Sequence, residues 1–524
     1  MFCFQCEQTA RSSACTEVGV CGKDPATAAA QDAITVELMK LAVASEGRQP
    51  SAELVKTFTE ALFATVTNVN FDAALCERIA DDIATQAREA NGGHAVVLDA
   101  VTGEKSLFEA ASTEGSCRAL LILGLRGTAA YAYHAHVLGQ HDPQVDAWLI
   151  TGMAQASRHH EVAEWLDLLH EAGMINFACL ELLDRANTGA YGDPEPTEVS
   201  MEIAPGPFIV VSGHDLHDLA MLLEQCEGTG VAVYTHGEML PAHGYPGLHA
   251  YSCLKGHFGT AWQNQRNEFT DLPGAVLFTT NCLMPPREDY RENVFTTAMV
   301  GHPGVTHIDA DSAGHKDFGP VIEHAKQLGG WDTAKVLTGI NGGSTLTTGF
   351  AHHAVLSVAD AVIGAIKAGD VNHIYLVGGC DGAMHGRNYF TRLVESTPKD
   401  SLVLTLACGK FRFNDMQLGT VGGLPRLLDM GQCNDAYSAV KVAQALASAF
   451  GVGINELPLT IVLSWYEQKA VAVLLSLLAL GVKNIKLGPT LPAFVSPGVL
   501  QVLSDAFGLA PTSTVEEDLA PAAG

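Results

Sequence analysis

Hydrophobic spacing changes character along the chain. In the first part, apolar residues recur at helical intervals in runs rich in alanine, leucine and glutamate, over residues 26–44, 71–90, 118–138 and 145–172. Few segments there show the alternation that is typical of a strand. The pattern predicts an all-helical N-terminal domain built of helix bundles.

From residue 208 onward, short β-rich runs alternate with helical runs such as 216–226. The apolar runs cover residues 208–211, 231–234, 275–278, 374–377, 402–406, 460–463 and 484–487. Strands that alternate with helices in this way form parallel sheets of βαβ units. The expected fold class is therefore α plus α/β, with two Rossmann-like parallel domains after the helical one.

Glycine and proline clusters predict the domain boundaries. Residues 187–207 contain three glycines and four prolines, which is typical of a linker, and a second glycine-rich stretch covers 338–343. We therefore expect an N-terminal cysteine cluster and helical bundle domain over 1–205. One α/β domain is expected over 206–345 and another over 346–524.

Charge and hydropathy exclude several classes of partner. The chain has 30 basic and 58 acidic residues, a formal net charge of −28, which repels nucleic acids and anionic membrane surfaces. The N-terminus lacks the basic and apolar regions of a signal peptide. The longest apolar run, 470–482, is shorter than the ~20 residues of a membrane span and predicts a buried helix. We expect a cytoplasmic protein with no nucleic-acid or membrane partner.

Four cysteines at the N-terminus have the spacing C-x2-C-x8-C-x5-C: Cys3, Cys6, Cys15 and Cys21. Four thiolates suit either zinc or a [4Fe–4S] cluster, and the spacing alone does not choose between them. Two disulfides are a third interpretation, which a reducing compartment disfavours. Thr9, Gly19 and Gly22 are expected to turn backbone N–H groups toward the sulfur atoms.

A second group of potential metal ligands follows the ends of predicted strands or lies on nearby loops. Its members are His214, Glu238, Cys282, Cys380, Cys408, Cys433 and Glu467. Each alone has an ordinary structural interpretation, as a packed cysteine or a surface carboxylate. Ligands bind at the carboxyl ends of parallel strands, however, so the set as a whole indicates a shared site. One imidazole, two carboxylates and four thiolates together suit a polynuclear iron centre with both sulfide and oxygen character.

Long motifs around these residues resemble one family over essentially the whole chain. They are MFCFQCEQT, SGHDLHDL, YTHGEMLPAHGYP, FTTNC, LVGGCDG, LACGKFRFN, DMGQCNDAYSA and LSWYEQKA. In these segments the chain resembles the hybrid cluster proteins, also called prismane proteins or hydroxylamine reductases. The compact spacing of the first four cysteines is similar to that of the [4Fe–4S] branch of the family.

The resemblance implies an assignment of cofactors to these residues. Cys3, Cys6, Cys15 and Cys21 would hold a [4Fe–4S] cluster. The second group would hold a hybrid [4Fe–2S–2O] cluster, with Cys380 as the cysteine that carries a persulfide sulfur.

The resemblance also implies an activity, the reduction of hydroxylamine to ammonia and water with electrons from a donor reductase. Lys469 and His236 are candidate proton sources. Nitric oxide reduction or protein S-nitrosylation at the same cluster is an alternative, as is carbon monoxide dehydrogenase chemistry. A non-catalytic electron carrier or metal-storage protein is the alternative from another class.

Overall fold

The computed structural model describes residues 1–101, 107–108 and 112–519. Its helices are α1 (Pro25–Ala44), α2 (Ala52–Ala64), α3 (Ala73–Ala90), α4 (Thr113–Val137), α5 (Pro143–Ala156), α6 (Val162–Tyr191), α7 (Leu216–Cys226), α8 (Pro246–His249), α9 (Gln265–Glu268), α10 (Gly319–Leu328), α11 (His352–Ser357), α12 (Ala359–Ala368), α13 (Asn388–Glu395), α14 (Ala436–Phe450), α15 (Gln468–Ala479), α16 (Pro497–Phe507) and α17 (Val515–Leu519). Among these described helices, none has both the length and the apolar composition required to cross a membrane.

Helices α1–α6 form the predicted helical region. Five of them begin after a side chain that accepts a backbone N–H of the first turn: Asp24, Ser51, Asp72, Ser112 and Asp142. Helix α4 is buried from Gly115 to Ala135 and lies at the centre of the bundle.

The helical region differs from the expectation in two places. Helix α2 was not predicted, and the helix expected over 145–172 is interrupted between α5 and α6. The interruption ends at Glu161, which with Glu164 forms a capping box that starts α6 as a separate helix. Capping side chains thus override a continuous helical hydrophobic pattern here.

The strands are β1 (Thr197–Ser200), β2 (Glu202–Ile203), β3 (Phe208–Ser212), β4 (Ala232–His236), β5 (Leu254–His257), β6 (Ala275–Phe278), β7 (Val294–Thr297), β8 (Thr306–Ile308), β9 (Lys335–Val336), β10 (Thr345–Thr348), β11 (His373–Gly379), β12 (Ser401–Thr405), β13 (Thr420–Val421), β14 (Leu424–Pro425), β15 (Leu427–Asp429), β16 (Leu459–Ser464), β17 (Ile485–Gly488) and β18 (Ala510–Pro511). The described residues contain two six-stranded parallel sheets, in the orders β5-β4-β3-β6-β7-β8 and β15-β12-β11-β16-β17-β18. The mixed helical and parallel-sheet fold class is confirmed.

The segment predicted as a linker is more ordered than expected. Helix α6 continues to Tyr191, β1 pairs antiparallel with β10, and β2 pairs antiparallel with β9. These pairings join residues 197–203 to residues 335–348, which a purely local reading of the sequence could not detect. The domain boundaries after residues 205 and 345 stay a prediction.

The buried helix expected over 470–482 is α15, which packs against α4 and α6. Glycines make the close approach: a Cβ at Gly127 would overlap the backbone carbonyl oxygen of Gln468, and one at Gly173 would overlap that of Leu475. Asn176 also donates a 2.8 Å hydrogen bond to Ser476 on α15. The start of α15, which carries Glu467 and Lys469, is therefore held directly against the helical bundle.

We expect the substitution Gly127→Ala to lower the free energy of unfolding by about 1–3 kcal/mol, since the added methyl group forces α4 and α15 apart. Scanning calorimetry of the purified protein measures the shift. The matched control is Gly364→Ala in the exposed part of α12, where a Cβ meets nothing within 4 Å. This control is expected to be neutral or stabilising by about 0.5–1 kcal/mol. Equal melting temperatures for Gly127→Ala and wild type would contradict the packing argument.

Candidate metal centres

The N-terminal cysteines lie in a compact turn structure. Cys3 and Cys15 exchange two backbone hydrogen bonds of 3.1 and 2.7 Å, which bring the first and third cysteines of the motif side by side. Burial, followed by the charges of Cys21 and Cys3, raises the pKa of Cys6 well above its ordinary value. All four cysteines are free thiols. A buried thiol such as that of Cys6, whose ionisation its neighbours disfavour, fits a site in which a metal supplies the compensating positive charge.

One backbone N–H group of this loop points toward a cysteine sulfur. Thr9 N donates to the Cys6 carbonyl, and the N–H groups of Gly19 and Gly22 also donate to carbonyl oxygens. The residue after Thr9, Ala10, donates its N–H to Cys15 Sγ at 3.4 Å. The N–H groups of Thr9, Gly19 and Gly22 themselves close the turns of the loop.

The second group of potential ligands comes from the facing carboxyl ends of the two sheets. His214, Glu238 and Cys282 follow β3, β4 and β6 of the first sheet. Four more follow β11, β12, β15 and β16 of the second sheet: Cys380, Cys408, Cys433 and Glu467. All seven side chains are buried. Two sheets thus place their ligand-binding edges around one interior site.

Glu238 is at the centre of one half of this site. Its Oε2 lies 3.2 Å from His214 Nε2 and accepts a 2.9 Å hydrogen bond from Cys433 N. Its Oε1 accepts 3.0 Å hydrogen bonds from both N and Sγ of Cys408. The ligand atoms of His214, Glu238 and Cys433 all lie within 4.8 Å of one another, a spacing that one metal ion could bridge.

Glu467 is at the centre of the other half. Cys380 Sγ lies 3.9 Å from Glu467 Oε1, and Asn281 Nδ2 lies 3.5 Å from both Glu467 Oε1 and Cys282 Sγ. Lys469 connects the two halves, because its Nζ lies 3.8 Å from Glu467 Oε1 and 3.1 Å from His214 Nε2. A continuous set of contacts therefore joins all seven residues.

Burial dominates the electrostatics of the site. It raises the pKa of Cys282, Cys380, Cys408 and Cys433, and also that of Glu467. Such thiols ionise only when a cation lies among them, which is the chemistry of a metal centre. The donor set therefore fits an iron–sulfur cluster with additional oxygen and nitrogen ligands.

The pKa values of three polar groups of the site, His214, Glu238 and Lys469, are shifted in different directions. Burial, aided by the Lys469 charge, lowers the pKa of His214 to about 4, so the imidazole is neutral. Burial opposes the charge of Glu238, but His214 and Lys469 hold its pKa well below the usual range. Burial also opposes the charge of Lys469, yet Cys433 and Glu467 raise its pKa. The site therefore contains a neutral base, a carboxylate and an ammonium group at neutral pH.

Three supporting residues were not identified from the sequence. Thr280 Oγ1 lies 2.8 Å from His214 Nδ1, which directs the other ring nitrogen into the site. Gln432 Nε2 donates to the carbonyls of His214 and Glu238 at 3.1 and 2.8 Å, and Asn281 accepts from Lys469 at 3.1 Å. Each is adjacent to a ligand or lies two residues from one, a signal that could have identified them.

Lys469 and His236 differ in their placement. Lys469 lies inside the site, as described above. His236 is buried between Ser212 Oγ at 2.9 Å and Glu268 Oε2 at 3.1 Å, so its two ring nitrogens both contact residues outside the seven-residue set. Of the two candidate proton sources, Lys469 has the contacts that the role requires.

Known proteins resemble this chain in both sequence and fold. Two curated relatives named hydroxylamine reductase, from Thermodesulfovibrio yellowstonii and Solidesulfovibrio magneticus, are each 50% identical, and each match covers 99% of this chain and 99% of the relative. Among solved structures, carbon monoxide dehydrogenase IV from Carboxydothermus hydrogenoformans has a TM-score of 0.57 at 15% identity, covering 96% of this chain and 89% of that chain. The last match shows a shared fold.

Sequence similarity also extends along almost the entire length of the chain at the level of a family. The model of the Prismane/CO dehydrogenase family matches residues 1–520. With the cysteine-rich donor sets, this match supports iron–sulfur cluster binding. The chain belongs to the Prismane/CO dehydrogenase family.

Proposed function

We propose that this protein is an enzyme that reduces hydroxylamine to ammonia and water. The reaction adds two electrons and two protons and breaks the N–O bond, so that NH2OH + 2e⁻ + 2H⁺ gives NH3 + H2O. The observation that carries the proposal is the convergence of one imidazole, two carboxylates and four thiolates in one buried site. The activity in the name of the 50% identical relatives agrees with it.

Two cofactors belong to the proposal. Cys3, Cys6, Cys15 and Cys21 would hold a [4Fe–4S] cluster that receives electrons from a donor reductase. The seven-residue set would hold a hybrid [4Fe–2S–2O] cluster, with a persulfide sulfur on Cys380. When bound, the hybrid cluster would supply electrons and the Lewis acidity that weakens an N–O bond.

Close packing between the two groups of ligands supports electron transfer from one to the other. Cys6 of the N-terminal motif belongs to the same buried contact cluster as Cys282, Cys380 and Cys408. The rings of Trp262 and Tyr466 lie in this cluster with their centroids 4.4 Å apart. Glu7 N, next to Cys6, donates a 2.9 Å hydrogen bond to the Tyr466 carbonyl. The N-terminal motif is thus fixed against the second site.

Lys469 is the proposed proton donor within the site. Its raised pKa keeps the ammonium group charged at neutral pH, so it gives its proton only to a strongly basic acceptor. The hydroxide that leaves when the N–O bond breaks is such an acceptor, because the pKa of water is about 15.7. Lys469 would thereby complete the formation of water while His214 stays neutral and available as a ligand.

The proposal is tested on protein purified without oxygen. About eight irons per chain and two distinguishable EPR signals are expected, as two four-iron centres give. With reduced methyl viologen as electron donor, one ammonia should form for every two electrons consumed. Faster reduction of nitric oxide than of hydroxylamine at equal low concentrations would favour the alternative activity.

Matched cysteine variants make this test specific. Cys433→Ser is expected to lower turnover at least about 100-fold, since it removes a ligand of the proposed hybrid cluster. Cys117→Ser changes a buried cysteine of α4 that belongs to neither group of ligands, and it should retain both iron content and turnover. Equal loss in both variants would indicate misfolding and contradict the assignment.

A further inference from the structure

A second cluster of metal-binding side chains lies at the turn between α4 and α5, apart from the seven-residue set. His136 Nε2 lies 2.9 Å from Asp146 Oδ1, and His141 Nδ1 lies 3.4 Å from Asp146 Oδ2. One ligand atom from each of the three residues lies within 4.8 Å of the other two. The two imidazole rings are stacked with centroids 4.1 Å apart and an interplanar angle of 21°.

The backbone fixes this arrangement. Gly139 adopts a φ of 73° and donates a 2.8 Å hydrogen bond to the His136 carbonyl, which turns the chain back at the end of α4. Asp142 then caps α5 by accepting from Gln144 N at 2.8 Å. Two ordered helix ends therefore hold His136, His141 and Asp146 together without the help of a long flexible loop.

The polar atoms of this cluster are incompletely satisfied. Within the described residues, His136 Nε2 and Asp146 Oδ1 are buried and neither has a hydrogen bond of acceptable geometry, although they lie 2.9 Å apart. Ligand atoms about 2.0–2.1 Å from a tetrahedral zinc ion are themselves separated by roughly 3.3 Å. The separations of 2.9 and 3.4 Å run to the two different oxygens of Asp146 and are close to this value, so a single cation bound by both carboxylate oxygens could contact both imidazoles.

Access and charge also fit a cation. The side chains of His136 and Asp146 are 11% and 13% exposed, whereas that of His141 is 52% exposed, so the cluster opens to solvent on one side only. Two imidazoles and one carboxylate suit a divalent transition-metal ion better than Mg²⁺ or Ca²⁺, which prefer oxygen ligands.

We propose that His136, His141 and Asp146 form a binding site for a divalent transition-metal ion of the zinc type, with a water molecule as fourth ligand. The ion would join the last turn of α4 to the first turn of α5. Because α4 is buried along most of its length, the site would stabilise the core of the helical bundle. The proposal does not depend on the activity at the seven-residue set.

The test is calorimetric titration of the anaerobic, cluster-loaded protein with Zn²⁺ after removal of loosely bound metal. Wild type is expected to bind one zinc ion per chain at this site. His141→Ala and Asp146→Asn should each weaken that binding at least about 10-fold. The matched control is His159→Ala, which removes an exposed histidine that contacts a single carboxylate, Glu114, at 2.8 Å. It should leave zinc affinity unchanged.

Thermal unfolding separates a metal site from a simple hydrogen-bonded clamp. Zinc should raise the melting temperature of wild type and of His159→Ala, and should leave that of His141→Ala unchanged. The proposal is overturned if wild type and His141→Ala bind zinc equally. It is also overturned if the variants lower the melting temperature of the metal-free protein while the zinc-induced rise is the same in all of them.

Discussion

Replacing Glu467 with alanine is expected to remove the hybrid cluster and to leave the N-terminal cluster in place. Iron content should fall from about eight to about four per chain, and hydroxylamine turnover should fall at least about 100-fold. The reason is the position of Glu467 at the centre of one half of the site, 3.9 Å from Cys380 Sγ and 3.8 Å from Lys469 Nζ. Iron and sulfide determination, EPR and ammonia production measure the outcome.

Glu467 also caps α15, and the control has to separate this structural role from ligation. Its side chain accepts the Lys469 N–H at 2.7 Å, so alanine should cost about 1 kcal/mol of stability. The variant Glu268→Ala removes another largely buried carboxylate, which contacts His236 and Thr260 but no member of the seven-residue set in the described hydrogen bonds. Full iron content in Glu268→Ala beside half content in Glu467→Ala would assign the loss to ligation. Full content in both would refute the role of Glu467.

The parallel-sheet half of the fold was predictable because its signals are local. Strand β6 matches the apolar run 275–278, and β3 and β16 match their runs to within one or two residues at each end. Buried parallel strands are nearly continuous hydrophobic runs, which a sequence shows directly. Strands at or near the sheet edges, such as β8 and β18, were missed, since short and partly exposed strands lack that signal.

Pairings between distant residues could not be predicted from one sequence. The antiparallel pair β1–β10 joins Thr197 to Thr348, and neither segment has a distinctive pattern of its own. Its stability comes from tertiary contacts rather than from propensity. The same limit applies to Gly127. Only glycine fits there, because a Cβ would overlap the backbone carbonyl oxygen of Gln468, more than three hundred positions later.

The seven positions of the site were predictable from residue type and local position. Each has a side chain that binds metals, and each lies near the end of a strand or on a neighbouring loop. That rule identifies an edge of one sheet, but it does not show that two sheets place their edges around the same interior site. The contact of Lys469 on α15 with His214 after β3 supplies that information, and it exists only in three dimensions.

Replacing Lys469 with methionine is expected to lower kcat about 100-fold while the iron content and both EPR signals are retained. Methionine fills a similar volume without the ammonium group, so the proposed proton donor is lost and the packing of α15 is kept. Because Lys469 would protonate the leaving oxygen as the N–O bond breaks, its loss slows the bond-breaking step itself, and KM for hydroxylamine should change little. Steady-state kinetics with iron determination on the same samples measure both quantities.

The matched control for Lys469 is Lys316, a buried lysine that lies 2.6 Å from Asp218. Lys316→Met should destabilise the protein, because it leaves a buried carboxylate unpaired, but kcat should remain that of wild type. If Lys469 merely neutralises Glu238 and Glu467, its replacement would lower cluster occupancy in proportion to activity, and kcat per bound hybrid cluster would be unchanged. A fall in kcat per cluster, seen for Lys469→Met and not for Lys316→Met, is what a proton donor requires.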